Sequence, residues 1–192
     1  MQPKVGAQHL RNDEELALGI QRGNKADLAT LVERHHSPLV GFLYRMTGGD
    51  RSLAEDLVQE TFLRVLRSVH QYQYPRLFKP WLYMIATNLA RDYYKRAETR
   101  YVMGSSEDEV QLIGEIELRP EDALLLDAEV AAVVTALHML PAHQREVIVL
   151  RYCQELSLAE ISEALAIPVG TVKSRVSLGL GRLRKMLIEQ EK

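Results

Sequence analysis

The sequence predicts an all-α protein in which two small helical domains are joined by a flexible acidic linker. From Asp13 onward, apolar residues recur at the three- and four-residue spacing of helices, and no stretch alternates for long between apolar and polar residues. Proline and glycine interrupt this pattern where helices are expected to end. Midway along the chain the periodicity fails and acidic residues accumulate, which indicates a linker between two domains.

The composition is typical of a soluble globular protein in a reducing compartment. Of the 192 residues, 46% are hydrophobic and 26% are charged, which argues against disorder. No apolar run approaches the ~20 residues of a membrane span, and no secretory leader is evident. We therefore expect a cytoplasmic protein with no membrane insertion of its own. Cys153 is the only cysteine, so it forms no internal disulfide, and we predict it to be a small buried hydrophobic residue.

Charge divides the chain into segments. We assign residues 1–12 to a flexible N-terminus, 13–97 to a first domain, 98–122 to the linker and 123–192 to a second domain. Residues 105–122 carry a net charge of −6, against −2 for the whole chain, so the remainder is net basic. A basic remainder points toward a polyanionic partner such as nucleic acid.

The first domain contains two helices with predicted caps. Ser37 and Pro38 are placed as the N-cap and first residue of one helix. Ser52 and Glu55 have the spacing of a capping box for the next helix. The buried stripe of that second helix is predicted to consist of Leu53, Leu57, Val58, Phe62, Val65, Leu66 and Val69. Its opposite face carries Asp56, Gln59, Glu60 and Leu63. A leucine within an acidic, solvated face suggests a protein partner.

A further helix, from Trp81 to about Arg96, combines basic, amide and aromatic side chains. Its buried stripe is predicted to be Leu82, Ile85, Ala86, Leu89 and Tyr93. Its outward face holds Met84, Thr87, Asn88, Arg91, Tyr94 and Lys95. The preceding loop adds Tyr72 and Tyr74, and aromatic rings stack unpaired bases with ~1–3 kcal/mol per base. This surface therefore fits single-stranded or melting DNA, unless the tyrosines simply cap the edge of the core.

The second domain ends in a helix–turn–helix pattern. Pro141 begins one helix, and Ser157 and Glu160 form a capping box for the short helix that follows. Residues 168–170, Pro-Val-Gly, are predicted to form the turn before a last helix from Thr171 to about Glu189.

The last helix has one side suited to packing and one suited to DNA. Its apolar side, which would pack on Ile161 and Leu165, holds Val172, Val176, Leu183 and Leu187. Its other side holds Thr171, Ser174, Ser177, Leu178 and Lys185, flanked by Lys173 and Arg175. Small hydroxyls permit close approach to base edges, and basic side chains bind phosphates or guanine. A solvated basic helix in an ordinary bundle is the alternative. Gly179 and Gly181 are expected to make the distal half of this helix less stable, because glycine is unfavourable inside a helix.

Three blocks, in this order, resemble regions two and four of the sigma-70 family: AEDLVQETFLRVLRSV, FKPWLYMIATNLARDYYKR and LPAHQREVIVLRYCQELSLAEISEALAIPVGTVKSRV. No segment resembles regions one or three, so the chain is similar to the small extracytoplasmic-function (ECF) group. The similarity covers roughly residues 25–97 and 123–188.

This resemblance implies a role for each face. It implies docking on the beta-prime clamp helices of core RNA polymerase by Asp56, Gln59, Glu60 and Leu63. Recognition and opening of the minus-ten element would fall to Asn88, Arg91, Asp92 and Lys95, with the loop containing Tyr72 and Tyr74 capturing a flipped-out base. Reading of the minus-thirty-five element would fall to Thr171, Lys173, Ser174 and Arg175, with Ser177 on the same face. Leu178 stands where family members often have a basic residue.

The predicted function is therefore that of a sigma factor, which binds core polymerase and directs promoter-specific initiation. The resemblance further implies contact with the beta-flap and an anti-sigma factor as a partner. A stand-alone helix–turn–helix regulator with an N-terminal sensing domain is the alternative. We expect no enzyme, no cofactor and no metal site, because the sequence shows neither a glycine-rich phosphate loop nor histidines at ligand spacing.

Overall fold

Eight α-helices form the fold in the computed structural model, which describes residues 11–103 and 128–190. In the first domain they are α1 (Asp13–Gln21), α2 (Lys25–Met46), α3 (Arg51–Ser68) and α4 (Phe78–Met103). In the second they are α5 (Ala128–Met139), α6 (Ala142–Ile148), α7 (Leu158–Leu165) and α8 (Val169–Gln190). A 3₁₀ turn, Val69–Gln71, follows α3, and a π-helical turn, Val149–Cys153, continues α6. The two described ranges contain no strand, so the predicted all-α class is confirmed.

The predicted linker is only partly described. Helix α4 continues to Met103 and so includes the first residues assigned to the linker. The rest of that segment, 104–122, lies outside the described residues, as do residues 1–10 of the predicted flexible N-terminus.

Two predicted helix starts in the first domain are wrong. Helix α2 runs through Ser37 without a break and holds Pro38 in its interior. An interior proline removes one backbone hydrogen bond, but α2 buries Leu31 before it and Phe42 after it on one continuous face, so packing outweighs that loss. Helix α3 is capped by Asp50, whose Oδ1 accepts from the backbone nitrogen of Leu53 at 2.9 Å, and not by Ser52.

Aromatic side chains of α2 and α4 fill the centre of the first domain. Phe42 meets Tyr83 edge to face with 5.1 Å between ring centroids, and both side chains are fully buried. The predicted stripe of α3 is confirmed at Leu57, Val58, Phe62, Val65 and Val69, all buried. Leu66, in contrast, is 41% exposed.

Helix α4 is buried on two sides, which the sequence did not predict. Its stripe of Leu82, Ile85, Ala86 and Leu89 is buried as expected, whereas Tyr93 is exposed. Thr87, predicted to face outward, is fully buried. Helix α4 packs against α3 and also against α1, α2 and α7, so more of its surface is covered than a single stripe allows.

In the second domain, the capping box at Ser157 and Glu160 is confirmed. The turn between α7 and α8 is two residues earlier than predicted. Ala166 adopts a left-handed conformation, with φ of 53°, and ends α7. Helix α8 then begins at Val169, so Gly170 is a helical residue and not part of the turn.

Gly179 lets α8 approach α6 closely, a role different from the softening predicted for it. A Cβ atom at this position would lie 2.5 Å from Cδ1 of Ile148, itself buried in the core, and 3.4 Å from Cβ of Gln144. Gly181, two residues later, has open space around it.

We expect Gly179→Ala and Gly181→Ala to shift stability in opposite directions. Alanine is favoured over glycine inside a helix by about 1 kcal/mol, which Gly181→Ala should gain in full. Overpacking costs about 1–3 kcal/mol, so Gly179→Ala should lower the free energy of unfolding. Circular dichroism melts of the two variants measure the difference. Equal increases in melting temperature would show that the close approach is not constraining.

Candidate nucleic-acid interface

Helix α8 presents the predicted duplex-reading side chains on an open face. Lys173, Ser174 and Ser177 are exposed, while Thr171 and Arg175 are half-buried. The helix is held from behind by Val172, which is fully buried in the core with Ile161. The first turn of α8 contains no acidic residue. No carboxylate in that turn therefore offsets the partial positive charge at the N-terminus of the helix. The structure thus brings all five predicted residues to the start of one helix.

Helix α4 gathers the four predicted minus-ten residues at i, i+3, i+4 and i+7, which is one face of a helix. Asn88, Asp92 and Lys95 are exposed, and a carboxylate oxygen of Asp92 lies 3.7 Å from Nη1 of Arg64. Arg91 instead binds Glu146 of the second domain, Nε to Oε1 at 2.6 Å and Nη2 to Oε2 at 2.5 Å. These hydrogen bonds raise the pKa of Arg91 above its usual value.

The two tyrosines of the loop before α4 have different environments. Tyr72 is 4% exposed; its ring packs on Phe78 and Trp81, and its hydroxyl donates to the carbonyl oxygen of Arg76. Burial raises the pKa of Tyr72 to about 12. Tyr72 is therefore part of the core edge, which is the alternative that the sequence left open for it, and its contact with a base stays a prediction. Tyr74 is 52% exposed.

A cavity of about 150 Å³ lies beside this loop. Its walls are Gln71, Tyr72, Gln73, Arg76, Pro80, Trp81, Met84 and, from the second domain, Glu163. Sequence reasoning did not single out Trp81 or Arg76 as members of this site. A local signal could have identified Trp81, because this aromatic residue lies near the start of α4, shortly after a loop with two tyrosines.

A second groove, of about 330 Å³, lies between the end of α3 and the middle of α4. It contains Asn88 and two arginines that sequence reasoning missed, Arg64 and Arg67. These arginines are three residues apart, so they share one helix face. Both guanidinium groups approach Oε1 of Glu60, at 3.2 and 3.7 Å respectively.

The predicted protein-docking face of α3 is also assembled. Asp56, Gln59 and Leu63 are exposed, and Glu60 is half-buried beside Arg64. Leu63 is 45% exposed, and Leu66, one turn further along α3, is 41% exposed. Neighbouring exposed apolar side chains of this kind are typical of a surface that a partner covers.

The two domains contact each other through polar bonds along α4 and the loop before it. Arg76 donates to Oε1 of Glu163 from both Nε (2.9 Å) and Nη2 (2.6 Å). Nζ of Lys79 donates to the backbone oxygen of Gln154 at 2.7 Å, and the hydroxyl of Tyr83 binds the Gln154 side chain. Together with the Arg91–Glu146 pair, these bonds join the face of α4 to α6, α7 and the π-helical turn.

Arg145 forms a second connection between the domains. It is 7% exposed, and it donates to the backbone oxygen of Met46 in α2 at 2.8 Å and to that of His138 at 2.8 Å. Burial, together with the nearby charge of Arg145, lowers the pKa of His138 to about 4. His138 is therefore neutral near pH 7, and its Nδ1 lies 3.1 Å from Nη1 of Arg145 as an acceptor.

Cys153 is exposed, so its prediction as a buried residue is wrong. The wider π-helical turn changes the register of the chain, burying Val149 and Leu150 and leaving Tyr152 and Cys153 outside. Among the described residues, no group of three or more histidine, cysteine or acidic side chains could hold a metal ion. Within the same ranges, no helix has the length and apolarity to cross a membrane.

Comparison with known proteins assigns the family. Residues 31–100 match Sigma-70 region 2, and residues 131–183 match Sigma-70 region 4. The ECF RNA polymerase sigma factor SigW of Bacillus subtilis is 37% identical over 176 residues, which are 88% of this chain and 92% of that protein. The chain belongs to the ECF group of the sigma-70 family. As an ECF sigma factor it acts in promoter-directed transcription initiation, and the alternative of a stand-alone regulator is not favoured. Sigma factors are initiation factors and not enzymes.

Two solved protein complexes contain a chain with this fold. CnrH in complex with the cytosolic domain of CnrY has a TM-score of 0.69 and 26% identity, covering 92% of this sigma factor and 97% of that chain. The sigma factor RpoE of Bartonella quintana, in complex with the anti-sigma factor NepR, has a TM-score of 0.69 and 27% identity, covering 84% and 96% respectively.

Proposed function

We propose that this sigma factor uses three separate faces in transcription initiation. The α3 face docks on the beta-prime clamp helices of core polymerase, the α4 face with its preceding loop opens the minus-ten element, and the start of α8 reads the minus-thirty-five element. The observation that carries this proposal is the presence of all three faces on one chain. We also propose residues 13–97, 98–122 and 123–192 as the working units, and the cytoplasm as the place of action.

Docking through α3 is supported by the chemistry of its exposed face. Asp56, Gln59 and Glu60 precede the exposed Leu63 on the same face of α3, so an apolar anchor adjoins polar groups. Protein interfaces commonly have this arrangement, with a buried anchor providing most of the binding energy.

Opening of the minus-ten element is supported by the mixture of groups on α4 and its loop. Asn88, Arg91 and Lys95 offer amide and cationic groups to bases and phosphates. The cavity beside Trp81 offers aromatic walls to an unstacked base. Tyr74, the exposed tyrosine of the loop, takes the stacking role first proposed for both tyrosines.

Reading of the duplex by α8 is supported by its exposed cations and hydroxyls. Thr171 and Ser174 are small, so the helix can lie deep in a major groove, while Lys173 and Arg175 reach outward. The exposed Leu178 at the distal edge suits a thymine methyl group better than a phosphate. We propose the beta-flap as the polymerase element that supports this domain.

We expect Lys173→Ala to weaken use of the upstream element by about tenfold, since one base or phosphate contact contributes about 1–3 kcal/mol. Lys25→Ala is the matched control, because Lys25 is also an exposed lysine near the start of a helix but lies on α2 of the first domain, away from the three proposed faces. Reconstituted transcription from a template with both elements measures the effect, and binding to core polymerase without DNA should stay unchanged. Equal loss in both variants would contradict a specific role for Lys173.

An anti-sigma factor is proposed as a regulator. Both solved neighbours are complexes with a second protein, which for Bartonella quintana RpoE is the anti-sigma factor NepR. Neither complex identifies the inhibitor of this chain, which we propose to cover the α3 face and so compete with polymerase.

Transcription by purified core polymerase from a promoter library tests the proposal as a whole. We expect productive starts from templates that share two upstream elements at a fixed spacing, and none without the sigma factor. Binding to core polymerase without initiation from any template would overturn it.

A further inference from the structure

Helix α1 contacts both ends of the loop that lies between the 3₁₀ turn and α4. Nε2 of Gln21 donates to the backbone oxygens of Val69 and Tyr72, both at 2.7 Å. Oε1 of Glu14 accepts from the backbone nitrogen of Phe78 at 2.9 Å. One end of the loop is therefore held by Gln21 and the other end by Glu14.

These bonds satisfy backbone groups at each end of the loop. The first N–H groups of an α-helix have no partner within the helix, and Leu77, which precedes α4, has no side-chain acceptor to supply one. The carboxylate of Glu14 takes that place and faces the positive end of the helix dipole. The side-chain amide of Gln21 has two N–H groups, which match the two carbonyl oxygens that it contacts.

The two anchoring residues lie on one face of α1, which is itself fixed. Glu14 and Gln21 are seven residues apart, which is two helical turns and about 10 Å along the axis. Oδ1 of Asp13 accepts from Nη1 of Arg34 at 2.8 Å, and Oδ2 lies 2.6 Å from Nε2 of His35. Both partners belong to α2, so α1 is a firm support for the loop.

The residues between the anchors are those proposed to receive an unstacked base. Tyr74 is 52% exposed on this loop, and the cavity next to it is lined by Gln73, Arg76 and Trp81 among others. A short loop whose two ends are fixed has few conformations open to it. The position of Tyr74 relative to Trp81 therefore depends on the two bonds that α1 provides.

We propose that Glu14 and Gln21 are positioning residues that set the base preference of this loop. Neither residue lines the cavity, so they act by fixing the loop that does. Recognition sites depend on such supporting hydrogen bonds to hold the contacting groups in place. This inference rests on the proposed role of the loop in capturing a base of the minus-ten element.

Removing both anchors should reduce discrimination between bases. We expect Glu14→Ala/Gln21→Leu, assembled with core polymerase, to lose about tenfold in discrimination at the captured position, because base contacts require close alignment. A promoter selected by the unmodified chain, with each of the four bases placed in turn at every minus-ten position, measures this in transcription. Preference at the upstream element should stay unchanged, because α8 belongs to the other domain.

Trp81 gives a direct readout of the loop, because it is the only tryptophan of the chain. Its ring centroid lies 5.4 Å from that of Tyr72 and 5.6 Å from that of Phe78. We expect acrylamide to quench its fluorescence more strongly in the double variant than in the unmodified chain. Unchanged quenching would show that the anchors do not fix the loop, and would overturn the proposal.

Glu15→Ala is the matched control. Glu15 adjoins Glu14 and carries the same charge, but its carboxylate accepts from the backbone nitrogen of Asn12 at 3.1 Å and so caps α1 itself. This variant should leave base preference and quenching unchanged, whereas an equal loss would mean that the stability of α1 alone matters. Glu14→Gln retains an acceptor for Phe78 and should restore the preference that Glu14→Ala loses.

A single variant keeps the test open if the double variant folds poorly. Gln21 is exposed, so Gln21→Leu is a surface change, and we expect it to lose part of the discrimination. A folded Gln21→Leu chain with full discrimination would count against the proposal.

The same transcription assay separates this inference from the proposed function. If the unmodified holoenzyme prefers one base at a minus-ten position and the double variant keeps that preference, the positioning role is disproved while the sigma-factor role stands. An equal decrease with all four bases would have the same meaning. If the unmodified holoenzyme shows no base preference in the minus-ten element, the proposed function of the loop fails, and this inference with it.

Discussion

Leu63→Arg is expected to lower the affinity of the chain for core polymerase by about 30-fold. Leu63 is 45% exposed on the α3 face, one turn beyond the amide and acidic groups of Gln59 and Glu60. Central apolar anchors in protein interfaces each contribute about 2 kcal/mol or more, which corresponds to about 30-fold in a dissociation constant. An arginine also leaves a charge in a surface that must lose its water on binding.

Leu77→Arg is the matched control for this experiment. Leu77 is 48% exposed in the same domain but lies in the loop before α4, away from the α3 face. Surface plasmon resonance with immobilised core polymerase and no DNA should show normal affinity for Leu77→Arg. Equal losses in the two variants would mean that neither the α3 face nor Leu63 has a special role in docking.

Arg145→Met is expected to lower the free energy of unfolding by about 3 kcal/mol. Methionine keeps most of the buried aliphatic volume but removes the Arg145 bonds to the carbonyl oxygens of His138 and Leu140. It also removes the 2.8 Å bond to the Met46 oxygen, which keeps only the longer bond from the Tyr94 hydroxyl at 3.3 Å. Each buried polar group left unpaired costs about 1–3 kcal/mol. Because Met46 belongs to α2, the substitution should weaken the contact between the domains as well as the packing inside the second domain.

Urea unfolding followed by circular dichroism measures this loss. Arg151→Met is the matched control, since Arg151 lies on the next turn, is exposed and makes one bond, to the carbonyl oxygen of Leu156 at 2.9 Å. We expect its effect to remain within about 1 kcal/mol. A similar loss in both variants would show that Arg145 contributes no more than an ordinary surface arginine.

Local signals in the sequence predicted much of the second domain. The capping box at Ser157 and Glu160 depends on two residues within one turn, and the structure contains it. Helical spacing placed the five residues predicted to read the duplex on one helix, with Lys173 and Arg175 flanking the others, and in the structure all five lie in the first half of α8. The end of α7 could not be predicted from the sequence, because alanine seldom adopts the left-handed conformation that Ala166 takes.

The errors in the first domain have a common cause, which is packing between distant parts of the chain. Pro38 favours a helix start locally, yet the continuous apolar face of α2 extends through it. Tyr72 fits a stacking role by composition, yet Phe78 and Trp81 enclose it. Thr87 is polar and was placed outside, yet α7 covers the neighbourhood of α4. Each outcome depends on a contact that no local pattern specifies.

The contact between domains was beyond sequence reasoning altogether. Glu146 sits in a basic and amide-rich stretch, HQREV, where an acidic residue suggests nothing more than a solvated helix. Its partner, Arg91, is 55 residues away. The folded structure is needed to see that Arg91, a candidate DNA-binding residue, and the buried carboxylate of Glu146 form an ion pair.

The close approach at Gly179 holds α8 tightly against α6 within the second domain. Helix α8 touches Ile148 and Gln144 of α6 at this point, and Arg182 of α8 adds a 3.0 Å hydrogen bond to Gln144. Glu146 lies on α6 between those two residues. Because these contacts hold α6 against α8, a rotation of α8 relative to the first domain would also move Glu146 away from Arg91.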